Sequence, residues 1–134
     1  MKKPILFIQG SGIFINEILV CVGAEKKDII AFVKKKKLNK DLIKWVSDDE
    51  KIWDFRANFP SFFAFNHKNG HSILFLEPFK DDWAYWEMLI HEIAHIVHTL
   101  AIQKAFTEEE EAKAYLSEYL FRSIRRILQK LDPI

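Results

Sequence analysis

The segment from Trp83 to Ala101, WAYWEMLIHEIAHIVHTLA, constrains the fold more than any other part of the chain. At about 100° per residue, Leu89, Ile93, Ile96 and Leu100 gather on one side of a helix, and His91, His95 and His98 fall within about 60° of one another on the opposite side. A helix with an aliphatic stripe must lay it on another layer, so a sheet or a second helix is required. The candidate layer stands just upstream, in SFFAFNHKNGHSILFLEP. Asn69-Gly70 lies between two apolar runs, which predicts antiparallel strands over Phe62–Asn66 and Ser72–Glu77, with Pro78 ending the second. Asp81 or Asp82 then caps the helix.

The rest of the chain extends this hairpin-and-helix unit. ILFIQ and ILVCVG read as two short strands paired through the turn at Gly10-Ser11-Gly12. From Lys26 to about Phe55 the spacing turns helical, through Ile29, Ile30, Phe32 and Val33 and then Leu42, Ile43, Trp45 and Val46, predicting two helices around a break near Asn39. The lysine run Lys34–Lys37 sits at that break and reads as a solvated helix end, where cations suit the dipole. A last helix follows Thr107, with Glu110 three residues on in the capping-box pattern, and stops before Asp132-Pro133. The sum is a single α+β domain over residues 1–134, a small antiparallel or mixed sheet packed on the motif helix and a C-terminal helix.

Composition narrows the function. Lys and Arg number 20 against 19 Asp and Glu, a formal charge of +1, so no global field draws the chain to nucleic acid or to anionic lipid. Cys21 is the single cysteine, which excludes an intramolecular disulfide and a thiolate metal cage and suits a reducing, cytoplasmic home. No apolar run is long enough for a membrane-spanning helix. Gly10, Gly12, Asn16 and Glu17 interrupt the apolar N-terminal stretch, so a cleaved secretory signal is not expected.

The chemistry-bearing residues are on the motif helix. His91-Glu92-Ile93-Ala94-His95 is the H-E-x-x-H pattern, in which two histidines one turn apart aim at one ion and the glutamate between them serves as base to a water. His98 lies about 10 Å along the axis from His91, too far to share that ion. A catalytic zinc takes three protein ligands, so one more donor is needed. TEEEEAKAYLSEYLF on the next helix supplies carboxylates: periodicity favours Glu109, then Glu111, with Glu118 third.

HEIAHIVH followed by EAKAYLSEYL resembles the gluzincin-type metallopeptidases, especially small HExxH proteins of phages and mobile elements and, more remotely, the ImmA/IrrE family. In those proteins a strand leads into the HExxH helix and a Glu-x-x-Ala motif on a following helix gives the third zinc ligand. The resemblance spans Phe62 to Leu120 and implies a compact zincin-like fold, zinc held by His91, His95 and Glu111, and Glu92 as general base. An ImmA/IrrE-style alignment makes Glu109 the ligand instead. It also implies a protein or peptide substrate, laid along Ser72–Glu77 as an edge strand, and a second donor to the scissile carbonyl among His98, Tyr115 and His71. Trp53, Phe55, Phe59, Phe62 and Phe63 are candidates to line a groove, although residues this apolar more often pack in a core. The alternative is a catalytically silent zincin-fold chain acting as a binding or inhibitory module.

Overall fold

The computed structural model describes residues 3–12 and 17–131. The chain runs β1 (Ile5–Gly10), β2 (Glu17–Val22), α1 (Lys26–Lys35), α2 (Lys40–Asp48), α3 (Glu50–Asn58), β3 (Phe62–Phe65), β4 (Ser72–Leu76), α4 (Trp83–Gln103) and α5 (Glu110–Leu131). The strands form one mixed sheet in the order β1-β2-β4-β3, giving an α+β architecture. Both expected hairpins are present, β1 with β2 and β3 with β4, each antiparallel.

The central pairing was not expected. β2 and β4 run side by side and parallel, with Leu19 opposite Ile73 and Val22 opposite Leu76. This overturns the reading of Ser72–Glu77 as an edge strand, because β4 has a partner on each side. Among the described residues the free edges belong to β1 and β3, and β3 is the one against which α4 packs.

Strand alternation then divides the core in two. Ile18, Val20, Val22, Leu74 and Leu76 face α4 and α5 in one cluster. Leu19, Cys21, Ile73 and Phe75 face the other way and pack with Ile29, Val33, Trp45 and Val46 of α1 and α2. Strands buried on both faces read as unbroken apolar runs, which is what ILVCV and ILFL are. On α4, Leu89, Ile93, Ile96 and Leu100 are all buried, as the stripe requires. On α5 the buried row is Leu116, Leu120, Ile124 and Leu128.

Caps explain most helix limits. Asn39 accepts from the Asp41 amide at 2.7 Å and starts α2, while Asp82 accepts from the Tyr85 amide at 2.8 Å and starts α4. Asp81 is not the cap; its Oδ1 receives the Trp86 indole N–H at 3.0 Å. A second break, which periodicity did not show, separates α2 from α3 at Asp49. Its Oδ1 accepts from the Lys51 amide and its Oδ2 from the Trp45 indole, so one side chain ends one helix and caps the next. Helix α5 starts at Glu110, so Glu110 is its first residue and not the third helical residue that a capping box on Thr107 requires. The expected stop at Asp132-Pro133 lies outside the described residues. The lysines at the end of α1 are exposed. Among the described residues, no helix is long and apolar enough to cross a membrane.

Candidate metal centre

With its aliphatic side on the sheet, α4 turns His91 and His95 outward, both exposed. Their Nε2 atoms stand 3.2 Å apart and the rings meet edge to face. Two nitrogens each about 2.05 Å from one ion at a tetrahedral angle are about 3.3 Å apart, so the observed spacing is the bite that a zinc ion uses. Without an ion, one Nε2 carries the proton and donates while the other accepts.

Glu92 completes the group: one ligand atom from each of His91, Glu92 and His95 lies within 4.8 Å of the others. Unlike the histidines it is buried, 4 % exposed, because its position about 100° round the helix points it toward β3. Its Oε2 finds no hydrogen-bond partner among the described residues. Burial pushes its carboxyl pKa above the usual range, and the neighbouring His91 pulls the other way. An unpartnered buried carboxylate oxygen costs about 1–3 kcal/mol in a fold that gains nothing from it. Two convergent imidazole nitrogens and an orphaned carboxylate oxygen are a donor set that fits zinc and an activated water.

The three residues open on a cleft of about 460 Å³, walled by Phe55, Phe59, Phe62, Phe63 and Phe65. Four of the five aromatics named as groove candidates therefore do line it. Trp53 does not; it packs edge-on against Phe75 at 5.7 Å within the second core cluster.

The other expected site residues lie elsewhere. His98 is exposed on α4 and is not among the residues lining the cleft. Tyr115 stacks on Tyr119, and its hydroxyl oxygen is 3.8 Å from where a Cβ on Gly12 would stand, beside the β1–β2 turn. His71 lines a small cavity of about 120 Å³ with Leu19, Leu38 and Leu42, on the α1–α2 side of the sheet. Glu111 is exposed at the start of α5 and is not part of the His91–Glu92–His95 group, nor are Glu109 and Glu118. Trp86 of α4 packs on Phe121 and under the Arg125 guanidinium, so α4 and α5 run antiparallel. Counting back along α5 at 1.5 Å per residue from positions 121–125 opposite Trp86 sets residues 114–118 level with the His91–His95 pair, with Glu118 opposite His91 and Glu111 about 5 Å beyond the level of His95. Glu118 is exposed and paired with Arg122 at 3.2 Å.

His67, which sequence reasoning passed over, does line the cleft with His91, Glu92 and His95. The available signal was its place: His67 and His71 flank Asn69-Gly70, and a hairpin loop can send its two arms to different sides of a sheet.

No protein-family model, curated protein or solved structure matches the chain.

Proposed function

We propose that the chain is a zinc-dependent peptidase that hydrolyses peptide bonds of a protein substrate, on a zincin-like fold. The observation that carries this reading is the 3.2 Å approach of the His91 and His95 Nε2 atoms beside a buried, unpartnered Glu92 carboxylate in one cleft. Zinc, when bound, supplies a Lewis acid that brings the pKa of water to about 7 and polarises a carbonyl. His91 and His95 would hold it, with a third donor from α5. The family resemblance names Glu111 for that role and the helix register names Glu118.

Glu92 does the proton work. Its Oε2 takes the proton of the attacking water and then gives it to the departing amine, so the carboxylate ends as it began. A carboxyl whose pKa is raised by burial is closer to the working pH and is the better base for it. The edge of β3, free among the described residues, runs along the cleft and offers unpaired backbone groups to an extended chain, the role that the family resemblance gave to β4. The aromatic wall excludes water from a peptide lying there.

The test begins with zinc titration of the metal-free chain and with unfolded casein as the substrate probe. One zinc per chain is expected, and Glu92→Gln should bind it unchanged while cleavage falls by at least about 10³-fold. No zinc bound at neutral pH, or full cleavage by Glu92→Gln, would sink the proposal. Glu118→Ala and Glu111→Ala identify the third ligand, since only the true one weakens zinc binding, by about 10-fold or more. A second reading, a silent zincin-fold binding module, is favoured by the absence of an α5 carboxylate from the three-residue group. It predicts a biological effect that survives Glu92→Gln.

A further inference from the structure

Building on the peptidase reading above, we propose that His67 is the hydrogen-bond donor to the scissile carbonyl, a catalytic residue contributed by the β3–β4 loop and not by the motif helix. Attack on a peptide carbonyl places negative charge on its oxygen, and a preorganised donor aimed there is among the largest contributions a protein makes. The residues first considered for the task are elsewhere: Tyr115 is beside Gly12 and His71 opens on the α1–α2 side. His98 is outside the cleft lining. Apart from the His91–Glu92–His95 group, His67 is the one titratable side chain lining the cleft among the described residues.

The loop holds His67 in place. The Asn66 amide donates to the His71 carbonyl at 2.8 Å, the Asn66 carbonyl accepts from Gly70 at 2.8 Å, and the Asn66 side chain accepts from the Lys68 amide at 2.9 Å. Gly70 closes the loop at φ +76°, a conformation that glycine adopts freely. These bonds flank His67 on both sides and fix its backbone. Its ring sets edge-on against Phe65, centroids 4.9 Å apart, so the last aromatic of β3 braces it. His67 also lines a second cleft of about 640 Å³ that shares Phe62, Phe63 and Phe65 with the first. It therefore stands where a strand laid on the free edge of β3 passes from one cleft to the other. Imidazole carries at least one N–H donor in either protonation state, so the hydrogen bond needs no proton transfer and the ring is unchanged over the cycle.

The residue is exposed, so its replacement leaves no core cavity and the variants should fold. The test uses the full chain loaded with zinc, a phosphinic peptide with apolar side chains as a mimic of the tetrahedral oxyanion, and casein cleavage. His67→Ala should bind zinc as the natural chain does, within about twofold, yet bind the phosphinic peptide more weakly and lose kcat, each on the order of 10²-fold, with little change in KM. His67→Gln, which keeps an N–H donor, should recover part of both. Unchanged phosphinate affinity in zinc-loaded His67→Ala overturns the assignment and leaves the peptidase reading standing. A loss of zinc affinity of about tenfold or more in that variant also overturns it, by making His67 a ligand. If the natural chain binds neither zinc nor the phosphinic peptide, the peptidase reading fails and takes the assignment with it.

Discussion

The two faces of the sheet are covered in different ways. One carries α4 and α5, of 21 and 22 residues, lying antiparallel as a continuous layer. The other carries α1, α2 and α3, of 10, 9 and 9 residues, and their cover thins out at β3. There Phe55 and Phe59 are left 48 % and 52 % exposed, their rings packed together at a tilt with centroids 4.6 Å apart. The candidate site lies on this boundary: the long-helix face supplies His91, Glu92 and His95 with Phe63 beside them, and the short-helix face supplies Phe55, Phe59 and Phe62. Metal ligands need a scaffold that does not move, and a cleft needs a place where packing stops.

The sharpest way to break this comparison is to cut into each face. Ile96 is fully buried against the sheet in the α4–α5 layer, and Ile96→Ala should cost about 3–4 kcal/mol, because the flanking helix and strand leave little room to collapse. Ile52 on α3 is 6 % exposed, and Ile52→Ala should cost nearer 2 kcal/mol, since a short helix at the margin can shift inward. Urea midpoints at constant m-value measure both. Equal losses would show that the two layers are packed alike.

Glu92 is where the boundary conflicts with stability. Glu92→Leu removes a buried oxygen without a partner among the described residues, so the metal-free chain should gain about 1–2 kcal/mol and, on the proposed peptidase reading, lose hydrolysis altogether. The sign with pH follows from the raised pKa. The unfolded carboxyl ionises near 4.3, the folded one at higher pH, and between them the folded state holds more protons. The natural chain therefore loses stability as pH rises out of the carboxyl range. The advantage of Glu92→Leu should be larger at pH 7 than at pH 4, read from denaturant curves in the presence of a chelator. A constant advantage would show that Glu92 does not titrate differently in the fold.

Much of this arrangement was legible because it is local. Asn69-Gly70, the Asp82 cap, the Asn39 break and the stripe of α4 each rest on neighbours a few residues away. So does the convergence of His91 and His95, set by one helical turn. What escaped is non-local or depends on a side chain's second contact. The parallel pairing of β2 with β4 joins Leu19 to Ile73 across the intervening helices, and no short-range pattern encodes it. That pairing turned the presumed edge strand into an interior one and moved the free edge to β3. The break at Asp49 depends on the second contact of its side chain, the hydrogen bond from the Trp45 indole four residues back, which apolar spacing does not reveal. Which α5 carboxylate would serve as third ligand on the zinc reading depends on how α4 and α5 slide past each other, and a sequence pattern on α5 alone cannot register the two. His67 was invisible because the direction of a loop arm follows from the sheet that the hairpin joins.

The smallest expected effect is on the open side of the comparison. Phe59 is about half exposed and packs chiefly on Phe55, so Phe59→Ala removes little buried area and should move stability by no more than about 0.5 kcal/mol. If the ring is part of a cleft wall, its loss should be felt by the ligand instead. A peptide side chain lying against it would forfeit about 1 kcal/mol of apolar contact, raising the KM for casein several-fold with kcat nearly unchanged. A stability loss like that of Ile52→Ala with no change in KM would place Phe59 in the core and close the cleft on that side.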